Sequence, residues 1–186
     1  MVVTGAEVVK YSNISTGATA ITASGLIPIV QDRIMTMCNQ HFTTDMYLQG
    51  AVTFNATART IVSSNSFATA GFLAADDIYV GGSYRNDGIY TVSTATTTTI
   101  TLITGSTVVD EVSGRSIFTS VVQWPLAVKQ AAALMVEYDY DKRKEQSDGL
   151  KSQSLGPWSE SYGSNQFGYP DSTLTGLDGY IYVNVI

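Results

Sequence analysis

The sequence predicts an α+β protein: a helical hairpin or bundle core, a small antiparallel β-barrel inserted into it, and an extended C-terminal arm. Three observations predict this class. The stretch from Trp124 to Gln146, WPLAVKQAAALMVEYDYDKRKEQ, is alanine-rich and free of glycine, with helix propensity sustained over about 20 residues, enough to span ~30 Å. Residues 43–121 carry short runs of Val, Ile, Thr, Tyr and Phe broken by Gly, Asn and Asp, the pattern of strands and turns. Beyond Gly149 the chain is Ser/Gly-rich with interleaved aromatics, too broken by Gly and Pro for a regular domain. The expected segments are 1–42 and 122–150 for the helical core, 43–121 for the inserted module and 151–186 for the arm.

Taken in order, Thr4 followed by Glu7 has the spacing of a capping box and predicts a short first helix. Residues 13–23 read as loop. Ser24 can cap a second helix, with Ile27, Val30, Ile34, Met37 and Cys38 on one face and an end near His41-Phe42. Strands are expected at Tyr47 to Phe54, Arg59 to Ser64, Asp77 to Gly81, Gly88 to Ser93, Thr98 to Thr104 and Arg115 to Val122, with Asn86-Asp87-Gly88 as a tight turn. In the long helix, Pro125 presets φ for the first turn, and Leu126, Gln130, Ala133, Leu134 and Tyr138 recur as one mostly apolar stripe. Beside it, Ala127, Ala131 and Ala132 would allow a second helix or a neighbouring subunit to approach closely. Gly149 marks the stop. The terminal GYIYVNVI alternates as a strand does, but needs a partner for its backbone groups.

Bulk composition narrows the function. Of 186 residues only 14% are charged, against about 25% in an ordinary domain, so the surface must draw heavily on Ser, Thr, Asn, Gly and Tyr. The formal net charge of -6 argues against a protein that grips the nucleic-acid backbone. A single cysteine, Cys38, excludes an intramolecular disulfide framework. The N-terminus lacks a signal-peptide pattern, and no run reaches the ~18 apolar residues of a membrane span. A soluble protein made in the cytoplasm, with no membrane contact, is expected.

Chemical motifs are weak. Cys38-x-x-His41 could place two metal ligands together, yet no second pair exists and a closed zinc site needs four ligands. Asp139-x-Asp141-x-Arg143 resembles the opening of an EF-hand loop but fails at the third ligand and at the glycine. The acid pairs Asp76-Asp77 and Asp110-Glu111 have no histidine near them in sequence, and Gly81-Gly82 is followed by Ser83 and Tyr84 rather than a phosphate-loop lysine. No catalytic residue, metal or cofactor is expected. Trp158, Tyr162, Phe167, Tyr169, Tyr180 and Tyr182 stand in an arm with no Lys or Arg past Lys151, which suits protein contacts better than base stacking.

The order of these parts carries a resemblance. A helix precedes an apolar helix ending near Phe42; Gln123-Trp124-Pro125 opens an alanine-rich helix bearing Tyr138 and Arg143; then come Lys151-Ser152-Gln153-Ser154-Leu155-Gly156, Ser159-Glu160-Ser161-Tyr162 and Tyr169-Pro170. The pattern resembles the gp6-like head-tail connector proteins of tailed bacteriophages, and residues 43–121 are similar to a small β module that recurs in phage head and tail proteins. The resemblance implies a structural virion protein of the neck: a dodecameric ring under the portal, contacting portal and tail proteins and extending a channel through which DNA passes without specific binding. Trp124, Tyr138, Arg143, Trp158, Tyr162, Phe167, Tyr169, Tyr180 and Tyr182 are then candidate interface residues. A carbohydrate- or host-binding tail module, using Tyr79, Tyr84 and Tyr90, is the alternative.

Overall fold

Strand residues at least equal helical ones in the computed structural model of the chain, and a closed antiparallel barrel of six strands dominates it. This corrects the expectation of a helical hairpin or bundle as the core and of an extended arm as the C-terminal element. The structure describes residues 1–112, 116–145, 152–155, 158–161, 165–166 and 168–181. Two compact units emerge: Gln40–Gln123 together with Met1, and Val2–Asn39 together with Trp124–Ile186.

The barrel strands are β1 (Thr43–Asn55), β2 (Thr60–Ser63), β3 (Asp77–Gly81), β4 (Gly88–Ala95), β5 (Thr99–Leu102) and β6 (Ser116–Val122). They close in the order β1-β2-β5-β4-β3-β6. Two long strands make the corners. The first half of β1 pairs with β6 and its second half with β2, while β4 passes from β3 to β5 with a register shift between Val92 and Thr94. Such shifts bend a strand and let a small sheet close on itself, which leaves no open edge. The first and last strands are neighbours: Thr43 lies opposite Val122, and the Gln123 amide donates to the Phe42 carbonyl at 2.9 Å. The interior is filled by alternate residues, among them Phe54, Ile61, Ile78, Ile100 and Ile117, with Phe67 and Phe72 packed edge to face at 5.5 Å. Each such side chain contributes roughly 1.5–3 kcal/mol by leaving water.

The second unit is built on α4 (Leu126–Glu145), against which α1 (Gly5–Tyr11) and α3 (Leu26–Cys38) pack. The capping box of α1 is present in full: the Glu7 amide donates to Thr4 Oγ1 at 3.2 Å and the Thr4 amide to Glu7 Oε2 at 2.8 Å. Residues 18–23, read from sequence as loop, form a helix, α2 (Ala18–Ala23), because three alanines favour it and Ile21 is fully buried. A Cβ on Gly5 would strike the Ala18 carbonyl, so the close passage of α1 over α2 requires glycine there. Ser24 ends α2 instead of capping α3, and Pro28 falls in the first turn of α3, where no intrahelical N–H is lost. That helix stops at Cys38, short of the expected His41-Phe42, because Asn39 turns left-handed at φ 49°.

The apolar stripe of α4 is also corrected. Of its members Leu126 and Gln130 are exposed, Leu134 and Tyr138 half-buried and Ala133 buried, and the buried face runs through Val128, Ala131, Ala132, Ala133, Met135 and Val136. Pro125 precedes the helix, and its carbonyl accepts the Lys129 amide at 3.0 Å. The expected stop at Gly149 lies outside the described residues.

The C-terminal part includes a hairpin of β7 (Ser152–Leu155) and β8 (Trp158–Ser161), then β9 (Asn165–Gln166) paired with β10 (Tyr169–Pro170). A strap follows: α5 (Asp171–Leu174) and the 3-10 turn Thr175–Leu177. It is no free arm. Tyr169, Leu174 and Leu177 are buried, and Gly176 sits directly on the backbone of α4 at Ala127.

Candidate functional site

In the helical unit, the structure joins some of the aromatic residues singled out in the sequence. The Tyr138 and Tyr169 rings lie 5.6 Å apart at 53°. Tyr169 is 1% exposed, and its hydroxyl donates to Asp139 Oδ2 at 2.8 Å while accepting from the Arg33 guanidinium. Arg33 also binds Asp139 Oδ2, at 2.7 Å. These bonds join α3, α4 and β10 at one point. Burial, reinforced by the Asp139 carboxylate, holds the Tyr169 phenol well above the usual tyrosine range. Burial pulls the Arg33 guanidinium down, but Tyr169 and Asp139 outweigh it and the net shift is upward. An open groove of about 340 Å³ lies beside this knot, lined by Asp32, Arg33, Thr36, Met37 and Tyr169.

A second tie joins α1 to α4. Lys129 Nζ donates to Glu7 Oε1 at 3.0 Å; burial would raise the Glu7 carboxyl, yet the Thr4 amide and Lys129 together lower it. Trp124 is buried rather than presented, and Tyr180 is half-buried with its amide bonded to the Leu177 carbonyl at 2.8 Å. Arg143 lies in α4 and Trp158 in β8, but their side chains lie outside what the structure describes, as do residues Tyr162, Phe167 and Tyr182 altogether. The small residues of α4 already have partners within the chain: Ala131 and Ala132 are buried, and Gly176 meets Ala127.

The barrel carries a feature that sequence reading missed. On the outer side of three neighbouring strands, β3, β6 and β1, four rings form a band. His41 stacks on Tyr79 with centroids 3.9 Å apart and planes 12° apart; Tyr79 lies 6.5 Å from Phe118, and Phe118 5.5 Å from Tyr47. Registry explains the grouping. Phe118 is opposite Gly81 on β3 and Gln49 on β1, so a residue without a side chain lets the Tyr79 ring fold down over it. His41 and Tyr47 are exposed, Tyr79 and Phe118 half-buried. Burial lowers the His41 pKa and so favours the neutral ring. The available signal was the outward phase of Tyr47, Tyr79 and Phe118 on their strands, which becomes meaningful only with strand order. His41 is therefore a stacking residue of the barrel unit, and Cys38 a buried thiol of the helical unit whose pKa burial pushes up to about 11. Among the described residues no cluster of three metal-ligating side chains occurs.

The other tyrosines of the barrel have different settings. Tyr90 donates to the Asn86 carbonyl at 3.0 Å, and Tyr84 is 71% exposed. The loop between β3 and β4 is held from beneath by Asn86, only 1% exposed. Its side chain exchanges bonds with both backbone groups of Val109, at 2.8 and 3.1 Å, and donates to Glu111 Oε2 at 2.9 Å. The Asp110 and Glu111 carboxylates serve the backbone: Asp110 accepts from Ala56, and Glu111 from Tyr84. No family model matches the chain, and no curated protein matches it.

Proposed function

We propose that this chain acts by assembly, as a ring-forming head-tail connector of a tailed bacteriophage that docks on the portal, extends the DNA channel and receives the tail. The observation that carries the reading is the helical unit formed by the two ends of the chain, with α1 and α3 packed on α4, and with the barrel entering between α3 and α4 through adjacent strands. This is the order of parts on which the connector resemblance rests. A surface low in charge and rich in Ser, Thr and Tyr suits close subunit contact. The net charge of -6, repeated around a ring, would discourage passing DNA from adhering.

Negative-stain imaging of the purified protein, alone and mixed with the portal protein of the same phage, tests the proposal. Closed rings, or decoration of the portal at one end, are expected. A monomer at tens of micromolar that also leaves the portal bare refutes it.

A further inference from the structure

We propose that the aromatic band of His41, Tyr79, Phe118 and Tyr47 is a docking surface for an arginine-bearing segment of another protein. The inference concerns the barrel alone and does not depend on ring formation. Two observations select this occupant. First, the band offers the Tyr47 and Phe118 rings on β1 and β6, with His41 stacked over Tyr79 beside them, and aromatic faces attract cations, arginine above all because its planar guanidinium can lie flat on a ring. Second, the segment that carries the band is net acidic. Residues 43–122 hold six acids against three arginines and no lysine. Asp45 is exposed on β1, two residues before Tyr47, and the exposed Asp87 stands near enough to Tyr79 that its charge bears on the phenol.

A guanidinium on these rings could therefore also meet a carboxylate, and its fork of donors adds an ion pair that a neutral sugar cannot form. His41 fits this role as a neutral ring, with its face covering Tyr79. Nucleic acid is disfavoured by the same acids.

The test uses the full chain and three labelled peptides of one Gly/Ser framework carrying arginine, lysine or citrulline, with binding read by fluorescence anisotropy at two salt concentrations. The arginine peptide should bind about threefold or more tighter than the lysine peptide, and the citrulline peptide should not bind measurably. Tyr47→Ala and Asp45→Asn, both at exposed positions, should each weaken the arginine peptide about three- to tenfold, whereas Asp141→Asn on α4 should leave it unchanged. Equal binding of arginine and lysine peptides, or equal losses from Asp45→Asn and Asp141→Asn, would reduce the effect to general attraction by an acidic protein and overturn the proposal. Tyr47-dependent binding of neutral oligosaccharides tighter than the arginine peptide would reassign the band to glycans. Tyr47-dependent dimerisation with no peptide binding would reassign it to a second copy of this chain.

Discussion

Replacing Gly176 by alanine should detach the C-terminal strap from α4. The added Cβ would stand 2.5 Å from the Ala127 carbonyl oxygen and 3.2 Å from the Ala131 Cβ, whereas non-bonded carbons attract at about 3.5–4.0 Å. The nearest obstacle is backbone within a helix, so the strap must move, and it carries the fully buried Leu177 and nearly buried Leu174. Overpacking of this kind costs roughly 1–3 kcal/mol, and the lower chain entropy of alanine in the unfolded state returns about 0.4–1 kcal/mol. A net loss of about 1–2 kcal/mol is expected. Gly179→Ala, where the Cβ would meet nothing within 4 Å, is the control and should be neutral or slightly stabilising. Denaturant unfolding gives the magnitude, and amide exchange of residues 171–181 locates it. If Gly176→Ala matches the control in both measurements, the strap does not rest on α4 as described.

At alkaline pH the buried Cys38 thiol, raised by burial from 9.0 to about 11, favours the folded state while neutral. That contribution is fully present below pH 9 and is lost as pH rises toward 11, at most about 3 kcal/mol. Cys38→Ala should flatten the stability-pH curve over that range, and an unchanged slope would exclude the thiol as its source. Asn86→Ala should cost about 2–4 kcal/mol, because both backbone groups of Val109 and the Glu111 carboxylate lose a partner in a nearly closed site; limited proteolysis between β3 and β4 should accelerate in step. Exchanging residues 43–122 for a short Gly/Ser connection should leave a helical, folded remainder, since Thr43 and Val122 are cross-strand neighbours. Loss of the helical circular dichroism would show that the remainder cannot stand without the barrel.

The strands of the barrel were legible because they alternate and because Gly, Asn and Asp punctuate them: Asp77–Gly81 was read to the residue, and the other five fell within a few residues at either end. Strand order was not legible, since registry such as Phe118 against Gly81 depends on pairings made far apart in sequence, and the aromatic band went unseen with it. The balance between sheet and helix was misjudged for a related reason. A long alanine-rich helix is conspicuous in sequence, whereas closure of six short strands is not. Helix phase on α4 is legible at Ala133 but not at Leu126 and Gln130, because alanine is compatible with either face; burial of Ala131 and Ala132 depends on which elements arrive, and the Gly176 turn comes from 45 residues later in the chain. The capping box at Thr4 and Glu7 is purely local and therefore legible in full. Tyr169 stands out in sequence only as an aromatic in a broken stretch, and its partners Arg33 and Asp139 come from two distant helices.

The solitary Cys38 gives the molecule a built-in gauge. It is the one thiol in the sequence and it is sealed inside the helical unit, whereas residues 40–123 contain none. A thiol-reactive dye can label the native protein only when that unit opens, so the labelling rate at limiting dye concentration reads its opening equilibrium and at saturating dye its opening rate. Set beside the amide exchange of barrel strands, the same sample would tell whether the two units open as one cooperative body or take turns.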